Sequence, residues 1–454
     1  MLNPEAHERY TSDPSFVAEQ AKIRMLPWFL ASGMLNGVFT LWTFGGSVFV
    51  LFLNELGLPK GQIGLLLSFF PFCGLLALVV APTVARLGRK RSFLVCYALR
   101  KPVMALLLLL PWVTSQYGSR VAVLFLFAVL IVFAVLRSLA ETAYLPWAQE
   151  FVPNRVRGKT SAWAAVLGLI ASGFALAVAG YVIDAGTGVG RYLHLIAAGS
   201  VLGILGVLVM VKIPGGAPMP RAMGASTHVA NMRTALRDRN FVAFLGGVAG
   251  QTIGVVMLVS FLPLYLRDEI GLASATVVRL DVVAMVGGAL ASLGWGWLSD
   301  RIGSRPVLMP AALLLLLLPL GWLVLPRQLP QVLSWAALFY FIFGVAQNGA
   351  LIGSGRLFFN SVSPLEKSTA YMAIYYAWMG VTGGFAPLLA GGILSVATDW
   401  RTHVMGFTVD GYTVVFGMSL LFLFAGHFFY GRVQPDSSHT TRTSIRRFMN
   451  RMVR

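Results

Sequence analysis

The stretch GQIGLLLSFFPFCGLLALVVAPTVA, Gly61 to Ala85, runs 25 residues without a charge. A helix rises about 1.5 Å per residue, so roughly 20 apolar residues cross about 30 Å of hydrocarbon. The stretch is therefore expected to be a helix that spans a bilayer. Met25–Leu53, Val121–Leu136 with its continuation to Trp147, and Ala311–Leu325 read the same way. Twelve such helices account for nearly all of the 454 residues, at about 25–53, 61–87, 92–114, 119–151, 157–184, 189–212, 240–267, 273–300, 305–325, 331–358, 367–398 and 410–430. The chain is 57% hydrophobic and 11% charged, where a soluble domain carries about 25% charged residues. A soluble chain this apolar could not solvate its surface. The expected fold class is all-α, a polytopic membrane protein.

A net charge of +18 would suit nucleic acid, but the placement of the 35 Lys and Arg residues points to lipid. One set of helix ends holds 25 of them, and the opposite ends hold 6: Lys60, Arg120, Arg191, Arg267, Arg327 and Arg401. The other 4, Arg100, Lys101, Arg137 and Arg279, lie inside helices. A bias that alternates at every crossing is the positive-inside rule, which places both termini in the cytoplasm and the protein in the cytoplasmic membrane. The basic ends face anionic lipid, and no nucleic-acid partner is expected. Residues 1–24 carry Glu5, Glu8, Asp13 and Glu19, so they do not read as a cleavable signal peptide. Cys73 and Cys96 sit in apolar stretches and the six histidines are scattered, which points to no disulfide framework and no metal site. There is no Walker A loop and no Ser/His/Asp or Cys/His arrangement. The expectation is a transporter that needs neither ATP nor a cofactor, not an enzyme.

The longest polar interval, Lys212–Arg239, separates halves that echo each other. Its end, His228–Arg239, places Met232, Leu236 and Phe241 at roughly helical spacing and suits either a short interfacial helix or a solvated loop. Arg86–Arg91 after helix 2 matches Gly296–Arg305 after helix 8, and Val152–Lys159 after helix 4 matches Val362–Thr369 after helix 10. Repetition on this scale is how secondary transporters are built. The expected domains are a tail 1–24, a first bundle 25–212, a linker 213–239, a second bundle 240–430 and a basic tail 431–454. In that tail Ile445, Phe448, Met449, Met452 and Val453 would share one face of a membrane-surface helix.

Here the chain resembles the major facilitator superfamily, over about residues 20–430. The most specific match is Gly296-Trp-Leu-Ser-Asp300-Arg-Ile-Gly-Ser-Arg305, which fits the loop signature G-x-L-[AS]-D-R-x-G-x-[RK]. In the first-half copy Ala81 and Ala85 replace the Gly and Asp, while Arg86, Gly88, Arg89 and Lys90 match. Such glycines allow close helix approach, the Asp caps a helix start, and the arginines pair with carboxylates and lipid phosphates. The resemblance implies two pseudo-symmetric six-helix bundles that work by alternating access, with helices 1, 4, 7 and 10 lining a central cavity. It also implies a conformational gate built from Asp300, Arg301, Gly303, Arg305, Arg89 and Arg157. Arg137 falls where the family often places a buried arginine. The family's antiporter signature, a Gly-Pro in helix 5, is missing from Trp163–Tyr181. Helix 11 carries the Gly-Pro-rich run Gly380–Gly392, which suits kinking and close packing.

Of the 17 acidic residues, only Glu141 and Asp281 sit clearly inside helices. An ionisable group in hydrocarbon costs about 2.5–3.5 kcal/mol on insertion scales, so it marks a functional candidate. Glu141 lies four residues after Arg137, on the same helix face, and the two are candidates for proton coupling, with Asp281 as a further one. Arg137 is also a substrate-binding candidate, with Asn36, Gln251, Gln347, Asn348 and Tyr375. A pair that only fixes helix 4, and an Asp281 hydrated at an outer mouth, are the alternatives. Arg100 and Lys101 can snorkel towards the cytoplasmic face, and the resemblance, which places helix 3 outside the cavity, favours this over a functional role for Lys101. Trp42, Trp147 and the group Tyr375, Tyr376 and Trp378 offer aromatic edges to a solute, with an interface-belt role as the alternative for Trp147. The expected function is secondary active transport, by a monomer, of a small polar or anionic organic solute, coupled to protons. Efflux of an amphipathic compound, or a transporter-like scaffold without transport, are the other readings.

Overall fold

The computed structural model describes residues 14–153, 156–215, 232–327, 331–363, 368–404 and 407–436. Among these, 11 helical stretches are long and apolar enough to cross a membrane. One of them, Arg89–Ala148, is 60 residues long and would stretch about 90 Å if straight. It breaks at Gly118, whose φ of 82° and ψ of 169° are not helical. The part before the break packs along the part after it, so this stretch supplies two crossings and the expected twelve are all present.

Several crossings are interrupted where the sequence reading drew continuous helices. Helix 1 is α1 (Pro14–Thr43) and α2 (Gly46–Glu55). It starts within the expected tail and breaks where Gly45 N turns back to Thr40 O at 2.8 Å and Gly46 takes a φ of +61°. That backbone region costs glycine nothing. Helix 2 is α3 (Lys60–Cys73) and α4 (Leu76–Leu87). The break follows Pro71, where Gly74 N and Leu75 N tighten into three-residue turns on Pro71 O and Phe72 O. Then come α5 (Arg89–Ala105), α6 (Leu110–Phe151), α7 (Arg157–Ala185) and α8 (Gly190–Val211). The second half has α9 (Arg239–Leu264), α10 (Ser274–Ile302), α11 (Arg305–Leu315), α12 (Leu317–Val324), α13 (Val332–Leu357), α14 (Ser368–Val396) and α15 (Gly411–Tyr430). Asp238 caps α9 by accepting from Asn240 N and Phe241 N. Before it residues 232–237 are helical, within the interval where a surface helix was one expectation. The loop before α15 is an antiparallel hairpin, β1 (Arg401–Val404) with β2 (Phe407–Asp410). The expected helix in the basic tail lies outside the described residues.

The chain forms two compact units that cut across the expected halves. The first comprises residues 1–45, 76–175 and 190–222. In it α1 packs on α8, and α5 lies against α6 and α8. Its core holds Phe93, Tyr97, Ala140, Trp147, Phe151 and Met210. The second comprises residues 46–75, 176–189 and 223–454. Here α9 packs against α15 at Gly250 and Gly426, α10 against α13 at Gly287 and Gly344, and α3 against α14 at Gly64 and Gly391. At each pair a Cβ would collide with facing backbone, which is how small residues let spans approach closely. Residues 46–75 join this unit because Gly64 seats on α14 and Arg267 reaches Glu55 at 2.8 Å. Residues 176–189 join it through Arg279 and Asp184 at 3.1 Å.

Candidate functional site

In the first unit α1, α5, α6 and α8 surround a cavity of about 320 Å³, lined by Phe29, Ser32, Asn36, Phe93, Tyr97, Arg100, Ala140, Glu141, Tyr144 and Met210. The helical repeat of α6 puts Arg137, Glu141 and Tyr144 on one side of that helix. Arg137 Nε donates to Glu141 Oε1 at 2.7 Å, with side chains 29% and 57% exposed. The guanidinium also sits over the Phe44 ring, 5.3 Å from its centroid. The pair expected from the i, i+4 spacing is therefore present, and its carboxylate opens onto the cavity.

The structure corrects the expectation for Arg100 and Lys101. Neither snorkels: they are 4% and 0% exposed. Arg100 Nη2 and Lys101 Nζ both donate to Asn36 Oδ1, at 2.7 and 2.9 Å. Lys101 Nζ lies 3.4 Å from the Phe39 centroid and 4.5 Å from that of Tyr97. Pro102 follows the pair inside α5, and Phe93, Tyr97 and Arg100 lie at positions i, i+4 and i+7 of that helix. That spacing was the available signal that α5 turns a functional face inward. Trp42 and Trp147 are also reassigned. They are 6% and 1% exposed and their indoles donate to Ala175 O and Pro214 O, at 2.7 and 3.2 Å, so they hold the core together.

The remaining candidates lie in the second unit. Gln251 is 9% exposed, and among the described residues no donor meets its Oε1 or that of Gln347. Asn348 Nδ2 reaches back to Gly344 O at 3.4 Å and lies against Gly288, so it works between α13 and α10. Tyr375 stacks on Phe358 at 4.9 Å and Trp378 donates to Leu245 O at 2.9 Å, whereas Tyr376 is exposed. Asp281 is half-buried. Its Oδ2 accepts Ser47 N at 3.3 Å and lies beside Gly46, so a carboxylate on α10 sits at the start of α2. An anion there meets the positive end of the helix dipole.

In the loop signature, Asp300 pairs with Arg356 of α13. Arg301 covers the Trp297 ring at 4.3 Å, and Arg305 donates to Gly431 O beyond α15. Gly303 ends α10 with a φ of +95°, and Gly88, its first-half counterpart beside Arg89, has the same φ of +95°. The side chain of Arg157 lies outside the described residues. The reading missed Asp436, whose carboxylate accepts Ser304 N at 2.9 and 3.1 Å, Ser304 Oγ at 2.5 Å and Asn360 Nδ2 at 3.4 Å. Burial would raise its pKa, but these bonds outweigh it and hold the carboxyl below the usual range. Among the described residues no cluster of three or more metal-ligating side chains occurs.

No curated protein sequence matches the chain. Among solved structures, the nucleoside transporter NupG superposes with a TM-score of 0.62 at 15% identity, over 90% of this chain and 98% of that one. A D-xylose-proton symporter gives 0.66 at 14% identity, over 93% and 100%. A bacterial homolog of the human lysosomal transporter Spinster, inward-facing and unoccupied, gives 0.64 at 14% identity, over 94% and 98%. These likenesses show the fold. The family model described as MFS/sugar transport protein matches residues 75–430. The chain is a multi-pass membrane protein of the major facilitator superfamily, a secondary transporter of a small solute.

Proposed function

We propose that the chain moves a small polar or anionic organic solute across the cytoplasmic membrane by alternating access, coupled to protons, with both termini in the cytoplasm. The observation that carries this is the Arg137–Glu141 pair, 2.7 Å apart with its carboxylate open to the cavity. An anion that competes for Arg137, or a proton that binds Glu141, would break the pair. Loading of solute and proton can then be linked at one pair. The D-xylose relative is named a proton symporter, which supports coupling here as a proposal. The basic helix ends set the orientation.

The test uses purified protein in vesicles with an imposed pH gradient and radiolabelled solutes. The parent should concentrate a solute, and Glu141→Gln should exchange it downhill without concentrating it. Continued accumulation by the mutant would move coupling elsewhere, with Asp281 next in line. Absence of counterflow for every solute would favour a scaffold role.

A further inference from the structure

We propose that Arg100 and Asn36, backed by Lys101, form an anion subsite that takes the carboxylate or phosphate group of an aromatic or otherwise apolar organic acid. The inference rests on the transport reading and names the substrate class. Two cations lie side by side in a span, 4% and 0% exposed. Buried cations are costly and are normally paired with a carboxylate. Here they share the neutral oxygen of Asn36, and Tyr97 lies against both and also partners Arg100. Among the described residues, no carboxylate lies within ion-pair distance of either cation. Glu141, on the same cavity, is engaged by Arg137.

Donors remain on two residues that line the cavity. Arg100 lines the cavity, and its Nε is buried with no acceptor. A guanidinium has five N–H donors in a planar fork that matches a carboxylate or phosphate. Asn36 also lines the cavity. Because two cations fix its oxygen, its amide hydrogens are left as donors. Lys101 does not line the cavity. It is a positioning residue that holds Asn36. Phe29, Phe93 and Tyr144 offer an apolar wall for the body of the ligand. A volume near 320 Å³ is at the small end of ligand pockets.

The test is equilibrium binding to the full-length protein in detergent, read as a saturable rise in unfolding temperature with benzoate, phenyl phosphate and neutral benzamide. Benzoate or phenyl phosphate should stabilise the protein and benzamide should not. The responding acid shows which head group the site takes. Arg100→Gln should weaken that binding at least tenfold, Arg100→Lys less, and Lys101→Met should weaken it while leaving Arg100 in place. Arg86→Gln, at a helix end, should bind as the parent does. Equal stabilisation by benzamide, no response to either acid, or full affinity in a folded Arg100→Gln or Arg100→Lys protein would each overturn the proposal. Vesicle uptake of the same probes separates the two readings. Binding without uptake would fault transport of this class and leave the subsite standing. Uptake of neutral solutes without anion binding would do the reverse.

Discussion

Replacing Asp436 with alanine should cost the second unit about 2 kcal/mol. Ser304 precedes α11 but makes no cap with its own side chain, and it is 0% exposed. Its N–H and hydroxyl are satisfied by Asp436, at 2.9 and 2.5 Å. A hydrogen bond to a charged group contributes about 1.5–3 kcal/mol when buried. Asp436 is only partly buried and its bond to Asn360 is long, so the two bonds from Ser304 are discounted to about 2 kcal/mol together. The neighbouring strap, Gln434 N to Asn240 Oδ1 at 2.8 Å and Ser361 Oγ to Gln434 O at 2.9 Å, stays intact in the mutant. The assay is equilibrium unfolding in detergent followed by tryptophan fluorescence, with Ser304→Ala and the double variant. The cycle should show a coupling of at least about 0.5 kcal/mol. The pH dependence has a definite sign. The folded pKa of Asp436 is depressed, so its contribution is full above the unfolded value of about 3.9 and is lost as pH falls through the folded value. The gap between parent and mutant should therefore be present at pH 7 and close below about pH 3.9. A mutant within about 0.5 kcal/mol of the parent at pH 7, or an additive double mutant, would refute the reasoning. The same geometry sets where the tail can be cut: deletion after Gln434 removes Asp436 and should destabilise, whatever the residues beyond it do.

Other contacts carry further outcomes. Arg137→Ala and Glu141→Gln should both fold with less than about 1 kcal/mol lost, because the pair is 29% and 57% exposed; transport assays should then show loss of activity, and misfolding of Arg137→Ala alone would mark the pair as structural. Asp300→Ala breaks its pair with Arg356, whose partners are 66% and 39% exposed, so stability should barely change while single-cysteine labelling on the two sides of the membrane shifts; unchanged labelling would make Asp300 a loop residue only. Gly64→Ala sets a Cβ against Pro387 O and should cost about 1–3 kcal/mol by overpacking α3 on α14; a thermal unfolding curve identical to the parent's would mean the helices do not meet there.

Span number was legible because hydrocarbon thickness imposes one length on every crossing. The Arg137–Glu141 contact was legible because both residues ride on one helix, where spacing alone fixes geometry. Asn36 with Arg100 and Lys101 was not, because the residues are 64 and 65 positions apart and join only when α1 and α5 pack. The interruptions at Gly45–Gly46 and Gly74–Leu75 were missed for a different reason. An apolar run has the same composition whether its helix is whole or broken, and the break is specified by a few residues such as Pro71 and Gly46. One of these breaks exposes the helix start that Asp281 caps.

The charge pattern carries more than topology. Of the six cations at the sparse ends, several are engaged by neighbours rather than presented to lipid. Arg267 pairs with Glu55 at 2.8 Å, and Lys60 lies over the Tyr412 ring at 4.5 Å. Arg327 bridges Glu269 and Asp410 at 2.9 and 2.7 Å, and Arg401 joins the same two carboxylates. Asp410 also caps α15 by accepting Thr413 N. Burial would raise its pKa, but the bonds from Arg327 and Thr413 hold it below the usual carboxylate range. Arg267, Arg327 and Arg401 thus each meet acidic groups. The same few residues fasten the hairpin, α2 and the end of α9 within one unit.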